Sequence, residues 1–408
     1  MPNRPFVIIG AGLAGAKAAE TLRAEGFDGP VVLLGAEAER PYERPPLSKA
    51  YLRGEQARDA AYAHDERFYA ENEIELRTST PAKRVDVRAG EVELAGGDRL
   101  GYARLLLATG AEPRRLTVAG GALEGILYLR DFGDSDAIAE RLRGAGRLVV
   151  VGAGWIGAEV AASARQLGVE VTLVERAARP LERVLGPELG GIYADIHRDH
   201  GVELLTDAAV DAFEGAGSVE RVRLADGRTL DCDAVVVGVG VEPRTELAEA
   251  AGLETGDGIL VSERLETSAL GIFAAGDVAA AWHPFFERRL RVEHWANALH
   301  QGPAAARAML GTGEPYDRLP YFFSDQYDVG MEYSGHPTAS AEVAFRGDPA
   351  TREFVAFWLE SGRVVAGMNV NVWDVTEAIQ ALIRSRRIVD LGRLLDPDVP
   401  LGDLAEAA

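Results

Sequence analysis

The chain has 408 residues, 47% hydrophobic and 26% charged, with 43 Lys and Arg against 64 Asp and Glu for a formal charge of −21. That mix excludes a mainly disordered or collagen-like chain, and the length predicts roughly two to three domains. The acidity argues against nucleic acid and anionic membranes as partners. A single cysteine, Cys232, excludes disulfides, CxxC pairs and cysteine zinc sites within one chain, so redox work must run through a bound cofactor.

The apolar stretch Phe6–Ala16 leads into Lys17-Ala-Ala-Glu20, which continues a helical pattern. This predicts a folded element rather than a signal peptide, and a cytosolic protein. No apolar run approaches the roughly 18 residues that span a bilayer. Residues 6–37 read as strand, glycine-rich turn, small-residue helix ending near Gly26, and strand. A proline-rich loop follows at 40–54. Residues 74–100 alternate apolar and polar, with Gly96-Gly97 as a turn, which predicts an antiparallel piece. Residues 105–114, LLLATGAEPR, form a buried-strand run closing on Gly-x-x-Pro-Arg.

Residues 148–177 repeat the opening pattern, with the helix ending near Gly168. A hairpin with Asp226-Gly227 at its tip is predicted at 219–232. Residues 235–244, VVVGVGVEPR, repeat the earlier exit. A bridging stretch ends in IFAAGDVAAAW at 272–282, and a helix over 294–310 is expected to kink at Pro303. From about 318 aromatics concentrate (Tyr321, Phe322, Phe323, Tyr327). Strands at 353–372 and a helix carrying Arg384-Ser-Arg-Arg387 then predict a third, α+β domain, and the last residues, LAEAA, are expected to fray.

Gly10-x-Gly12-x-x-Gly15 follows a strand and opens a helix, and Glu37 lies 22 residues past Gly15. Glycines there let backbone approach a pyrophosphate, the helix N-terminus faces that anion, and the acid can bond ribose hydroxyls. Gly152-x-Gly154-x-x-Gly157 repeats the arrangement, with Glu175 18 residues past Gly157. Two fingerprints imply two dinucleotides, most economically FAD and a nicotinamide nucleotide. Glu175 favours NADH because its charge repels a 2′-phosphate, whereas Arg176, Arg179 and Arg183 are either solvated or available to such a phosphate. Asp277, after a strand and a tight turn, either accepts from ribityl hydroxyls or caps a following alanine helix.

These segments together resemble the FAD-dependent, NADH-linked ferredoxin reductases of bacterial ring-hydroxylating dioxygenase and cytochrome P450 systems. The matches are GAGLAG, PYERPPLSK (41–49), LLLATGAEPR, GAGWIGAE, IFAAGDVA, VEHWANALHQG (292–302) and PYFFSDQYD (320–328). The resemblance implies two Rossmann-like dinucleotide-binding domains of the glutathione-reductase type plus a C-terminal α+β domain. It places an FAD-binding domain at 1–112 and 245–318, an NADH-binding domain at 113–244 and the C-terminal domain at 319–408. It implies that Gly12, Leu13, Ala14 and Glu37 hold the ADP part of FAD, with the backbone of Val85 at the adenine. Arg44, Lys49, Arg130 and Asp277 would lie by the flavin, with Ala108, Thr109 and Gly110 in the same site and Trp295 opening a helix aimed at the flavin. Ile156, Glu159, Glu175 and Gly240 would belong to the nicotinamide nucleotide. Lys49 and Glu159 are the candidate catalytic pair, read either as an ion pair beside the reacting centre or as a surface lysine and a solvent-facing glutamate. Ala36 departs from the acidic residue many members carry there, which leaves Glu37 as the ribose acid. Tyr321, Phe322 and Phe323 replace a tryptophan-containing segment and line the flavin edge or pack in a core.

The implied partner is a 2Fe–2S ferredoxin, usually acidic, so docking calls for a local basic patch: Arg288, Arg289 and Arg291, or Arg384, Arg386 and Arg387. A flavin NADH oxidase or diaphorase that uses oxygen or quinones directly and an interaction protein resembling apoptosis-inducing factor are the alternatives. The missing active-site cysteine and the family's aromatic segment weigh against the first, and the chain's acidity against the second. Cys232 lies between Asp231 and Asp233, which predicts an inert thiol. His197 and His200 are expected on a solvated helix face beside Asp195 and Asp199, and no metal site is predicted.

Overall fold

The computed structural model describes residues 4–406. The described residues form two compact units, one within 4–44, 58–112 and 241–320, the other within 45–57, 113–240 and 321–406.

In the first unit Phe6–Ile9 pairs in parallel with Val31–Leu34 on one side and Arg104–Leu107 on the other. Ile74–Arg77 and Ile272–Ala274 extend this sheet at its two edges. Runs such as Val31–Leu34 are buried along their whole length, as a parallel sheet covered on both faces requires. The helix Leu13–Ala24 buries Ala14, Ala16, Ala18 and Ala19, and Gly26, at φ +81°, ends it in the left-handed conformation that glycine adopts cheaply. Residues 82–101 form the expected antiparallel sheet, but Ile74–Arg77 joins the parallel one instead. Its alternation marks a half-exposed edge strand, which periodicity does not distinguish from a hairpin strand.

Two further expectations change in this unit. Ala279–His283 is a strand, paired with Arg288–Arg291, so no alanine helix follows Asp277 for it to cap. The helix Trp295–Leu310 runs unbroken through Pro303. Gly302 lies so close to the helix Leu13–Ala24 that a Cβ there would come within 2.3 Å of the Ala14 carbonyl oxygen.

The second unit repeats the parallel plan. Arg147–Val151 pairs with Glu170–Val174 and Ala234–Val237, and Glu203–Leu205 and Ile126–Leu127 complete the sheet. The hairpin Arg221–Leu224 to Thr229–Asp231 turns at Gly227, φ +89°. Residues 321–370 form a five-stranded antiparallel sheet, in the strand order 321–326, 329–335, 363–370, 353–360, 342–348. The helix Thr376–Ser385 ends before the full basic run, with Arg386 left-handed at its cap. Leu401–Glu406 is helical and Leu404 is buried, so that part of the tail does not fray; Ala407 and Ala408 lie outside the described residues. His197 is fully buried against Tyr327 rather than solvated, because its side of the helix Pro187–Asp199 is covered by Tyr327. Among the described residues no helix is long and apolar enough to cross a membrane.

The two Gly-x-x-Pro-Arg repeats mark where the chain leaves the first unit and returns. The Gly110 carbonyl accepts from the Arg244 N–H at 3.0 Å, and the Gly240 carbonyl from the Arg114 N–H at 2.9 Å. Each repeat thus closes the other's turn, and Gly110 and Gly240 both need positive φ, +70° and +106°.

Candidate functional site

The first glycine cradle lies in the first unit. A Cβ at Gly10 would stand 2.0 Å from the Ala108 carbonyl oxygen, and one at Gly15 would stand 2.0 Å from that of Gly10. Those two glycines are required by packing. A Cβ at Gly12 would meet nothing within 4 Å, so the surface at the helix start is open where a pyrophosphate would approach. Leu13 and Ala14, the first helical residues, are buried and offer this surface their backbone alone.

At the end of the second strand the Glu37 carboxylate takes the Arg44 guanidinium at 2.8 Å and the Tyr42 hydroxyl at 2.5 Å. Arg44 also bonds the Tyr42 oxygen at 3.0 Å. Burial works against the guanidinium's charge, but Tyr42, Glu37 and Asp277 outweigh it and raise its pKa. Arg44 therefore sits on the residue read as the ribose acid, within electrostatic reach of the residue read as the ribityl acid. Val85 has its side chain in the core, leaving its backbone for a ligand. Thr109 spends its hydroxyl on the Arg244 carbonyl at 2.8 Å, a structural bond. Gly276, before Asp277, donates its N–H to the buried Gln301 side chain at 2.9 Å. Trp295 is the first residue of its helix, and the Asn297 side chain closes that turn on the Val292 carbonyl at 2.9 Å.

The second cradle lies in the second unit and repeats the first. A Cβ at Gly152 would fall 2.4 Å from the Gly238 carbonyl oxygen and one at Gly157 1.9 Å from that of Gly152, whereas Gly154 faces open space. Glu175 accepts the backbone N–H groups of Ala153 at 2.7 Å and Ala177 at 2.8 Å. Its carboxylate is thus fixed beside the glycine loop with lone pairs left for hydroxyl donors. Ile156, on the first turn of the helix Trp155–Gln166, is 37% exposed, an apolar side chain left uncovered at the cradle. Arg176, Arg179 and Arg183 are exposed.

Lys49 and Glu159 also belong to this unit, and the structure brings them together. Lys49 Nζ lies 2.7 Å from Glu159 Oε2, with the side chains 12% and 7% exposed. The pairing follows from the segment Pro45–Ser48. Ser135 donates to the Leu47 carbonyl at 2.8 Å and Ser163 to the Ser48 carbonyl at 2.7 Å, so both flanking helices grip the turn that aims Lys49. Ser48 adds a 2.5 Å bond to Glu159 Oε2, and Ser324 a 2.7 Å bond to Oε1. Lys49 also lies 5.6 Å from the ring centroid of Phe323. Sequence reasoning missed these serines; the one available signal was Ser163, four residues after Glu159 and so on its helix face. Strand alternation divides the aromatic segment. Phe322 packs in the core on Trp155 and Tyr333, while Phe323 is half-buried at Lys49 and Tyr321 bonds Glu332 at 2.7 Å. Arg130 lies at the start of the helix Phe132–Leu142, its N–H on Asp134 at 2.8 Å.

The sequence matches the model of the pyridine nucleotide-disulphide oxidoreductase family over residues 4–302 and that of the reductase C-terminal domain over 321–405. The chain belongs to the FAD-dependent, NADH-linked ferredoxin reductases of that family. It is 41% identical to the ferredoxin reductase subunit of a 5,5′-dehydrodivanillate O-demethylase from Sphingobium sp., each chain covered in full. It is 40% identical to the ferredoxin–NAD(+) reductase component of an anthranilate 1,2-dioxygenase system from Burkholderia cepacia, covering 98% of this chain and 99% of the relative. The crystal structure of a covalent putidaredoxin reductase–putidaredoxin complex superposes at a TM-score of 0.96 and 37% identity, with both chains covered in full. The protein is thus an FAD- and NAD(H)-dependent oxidoreductase of glutathione-reductase-type fold.

The described residues contain no thiol pair. Burial and the neighbouring Asp233 push the Cys232 thiol up to about 12, with Asp231 adding to it, which disfavours the nucleophilic thiolate. Of the basic clusters, Arg291 is only 10% exposed and ion-paired to Asp257 and Glu293. Arg289 bonds the Val261 and Ala280 carbonyls at 2.6 and 3.2 Å, and Arg288 stacks on Phe286. Arg384, Arg386 and Arg387 are exposed beside Ile388, which is 70% exposed.

Proposed function

We propose that this protein takes hydride from NADH onto FAD and passes single electrons to a 2Fe–2S ferredoxin that feeds an oxygenase. The observation that carries the reading is the pair of glycine cradles, each open only at its middle glycine and each with a carboxylate at the end of its second strand. Bound FAD supplies the chemistry that joins a two-electron donor to a one-electron acceptor. In this reading the segments 1–112 and 245–318 bind FAD, 113–244 bind NADH and 319–408 form the C-terminal domain. Gly10, Gly12, Gly15, Glu37, Arg44 and Asp277 hold the ADP and ribityl parts of FAD. Gly152, Gly154, Gly157, Ile156 and Glu175 hold NADH, and the fixed carboxylate of Glu175 disfavours NADPH. Lys49 and Glu159 form a buried ion pair that orients the two rings.

The ferredoxin relatives and the exposed Arg384, Arg386 and Arg387 support an acidic partner docking on the C-terminal domain. Arg291, whose side chain is only 10% exposed, is less accessible to a partner than that cluster. The function is tested by NADH-driven cytochrome c reduction with and without added 2Fe–2S ferredoxins of two types, with NADPH as control. Strong dependence on ferredoxin and NADH is expected. Rapid NADH oxidation indifferent to both ferredoxins overturns the reading in favour of an oxidase or diaphorase. Charge reversal at Arg384, Arg386 and Arg387 is expected to raise the KM for ferredoxin, and an unchanged KM removes that cluster from the interface.

A further inference from the structure

We propose that Ser324, on the first strand of the C-terminal sheet, is a positioning residue for Glu159, and that Ser48 shares this task. The inference rests on the proposed placing of Lys49 and Glu159 at the hydride site, and adds that the C-terminal region completes that site through one hydroxyl.

The geometry is specific. Glu159 is 6% exposed, and its two oxygens are held from different segments. Oε2 takes both Lys49 Nζ at 2.7 Å and the Ser48 hydroxyl at 2.5 Å, donors that are neighbours in sequence. Two donors on one oxygen leave the carboxylate able to pivot about that oxygen. The Ser324 hydroxyl meets Oε1 at 2.7 Å from the strand Tyr321–Gln326 and fixes the plane. Ser324 is 1% exposed, so water does not compete for the bond. Its oxygen also accepts from Gln326 Nε2 at 3.3 Å, which leaves its single hydrogen for Glu159. Bonds of a hydroxyl to an ionised carboxylate are among the stronger ones, and displacement of an orienting group by a fraction of an ångström is costly to a positioned reaction.

The sequence explains why the hydroxyl reaches. In Tyr321-Phe322-Phe323-Ser324-Asp325-Gln326 the residues at 322, 324 and 326 share the buried face, and Trp155, one turn before Glu159, packs on Phe322. The aromatic contact sets the distance between strand and helix, and the serine two residues on uses it.

The experiment measures NADH-driven bleaching of the flavin in the holoprotein by stopped flow. The proteins are wild type, Ser324→Ala, Glu159→Ala and the double variant, with Ser48→Ala as a second hydroxyl deletion. Ser324→Ala is expected to lower the limiting rate roughly tenfold, with flavin content and half-saturating NADH unchanged. In the Glu159→Ala background the same substitution is expected to cost the rate nothing further, because the carboxylate that the hydroxyl holds is gone. An equal loss in both backgrounds overturns the positioning role, as does a wild-type rate in Ser324→Ala and Ser48→Ala while Glu159→Ala is slow. A wild-type rate in Glu159→Ala overturns the assigned role of Glu159 and this inference with it. Failure of NADH to bleach the wild-type flavin overturns the function itself, so the two failures are distinct.

Discussion

Replacing Lys49 by methionine would strand a carboxylate in the interior. The Lys49–Glu159 pair has 12% and 7% exposed side chains at 2.7 Å, so solvent screens it little. Removing one partner of a buried pair costs about 3–5 kcal/mol, chiefly because the other charge remains desolvated. Glu159 would retain the Ser48 and Ser324 hydroxyls, which places the expected loss at the lower end, about 3 kcal/mol. Replacing both residues, Lys49→Met with Glu159→Gln, removes both charges and leaves an amide for the same serines. The double variant is then expected to lie within about 1 kcal/mol of wild type. Reversible urea unfolding of the full chain with FAD at fixed concentration, followed by circular dichroism, measures all four corners of the cycle. A Lys49→Met variant as stable as wild type, or a double variant that loses the sum of the single losses, refutes the buried-charge account. Either result would mean that the charges are hydrated in solution.

Other outcomes follow from the same geometry. Gly154→Ala is expected to keep the melting temperature and weaken NADH binding, because its Cβ meets only open space; Gly157→Ala, 1.9 Å from the Gly152 oxygen, is expected to unfold the second unit. Melting curves and NADH titrations separate the two. Cys232, with its thiol raised to about 12 by burial and two aspartates, is expected to resist alkylation at pH 8 in the native protein and to react once unfolded. Burial lowers His197 from 6.5 to about 4. The unfolded chain therefore binds a proton that the native one does not, and stability falls between those values as pH drops, by about 3 kcal/mol in all. His197→Gln should flatten that part of the stability–pH curve, and an unchanged slope would mean that the imidazole titrates normally in the fold.

Much of this architecture was legible because it is local. The strand–glycine–helix–strand units announce themselves by composition, and the glycines at 10, 15, 152 and 157 are demanded by backbone contacts within about a dozen residues or with the next strand of the same sheet. The repeated Gly-x-x-Pro-Arg was visible as an echo, but not its meaning. That Gly110 closes on Arg244 and Gly240 on Arg114 is a long-range exchange, and no periodicity encodes it. Two of the overturned expectations share one cause, an alternation or composition compatible with two environments. Ile74–Arg77 alternates and yet edges a parallel sheet. Ala279–Ala281 favours helix by propensity and yet is a strand, because pairing with Ile259–Val261 and Arg288–Arg291 outweighs it.

The candidate site divides along the same line. Lys49 and Glu159 could be named because each lies in a recognisable segment, PPLSK or GAGWIGAE, and their pairing needed only the resemblance between whole chains. The groups that hold the pair are serines at 48, 135, 163 and 324, and a serine has no sequence signature of its own. Each is defined by what it meets: two backbone carbonyls for Ser135 and Ser163, one carboxylate for Ser48 and Ser324. A buried charge pair requires such satisfied neighbours, since an unpaired lone pair in the interior costs more than a hydrogen bond returns. Once a buried Lys–Glu pair is inferred from sequence, small hydroxyl residues one turn along the helix and on the facing strand are therefore the next residues to look for. Ser163 and Ser324 occupy those two places.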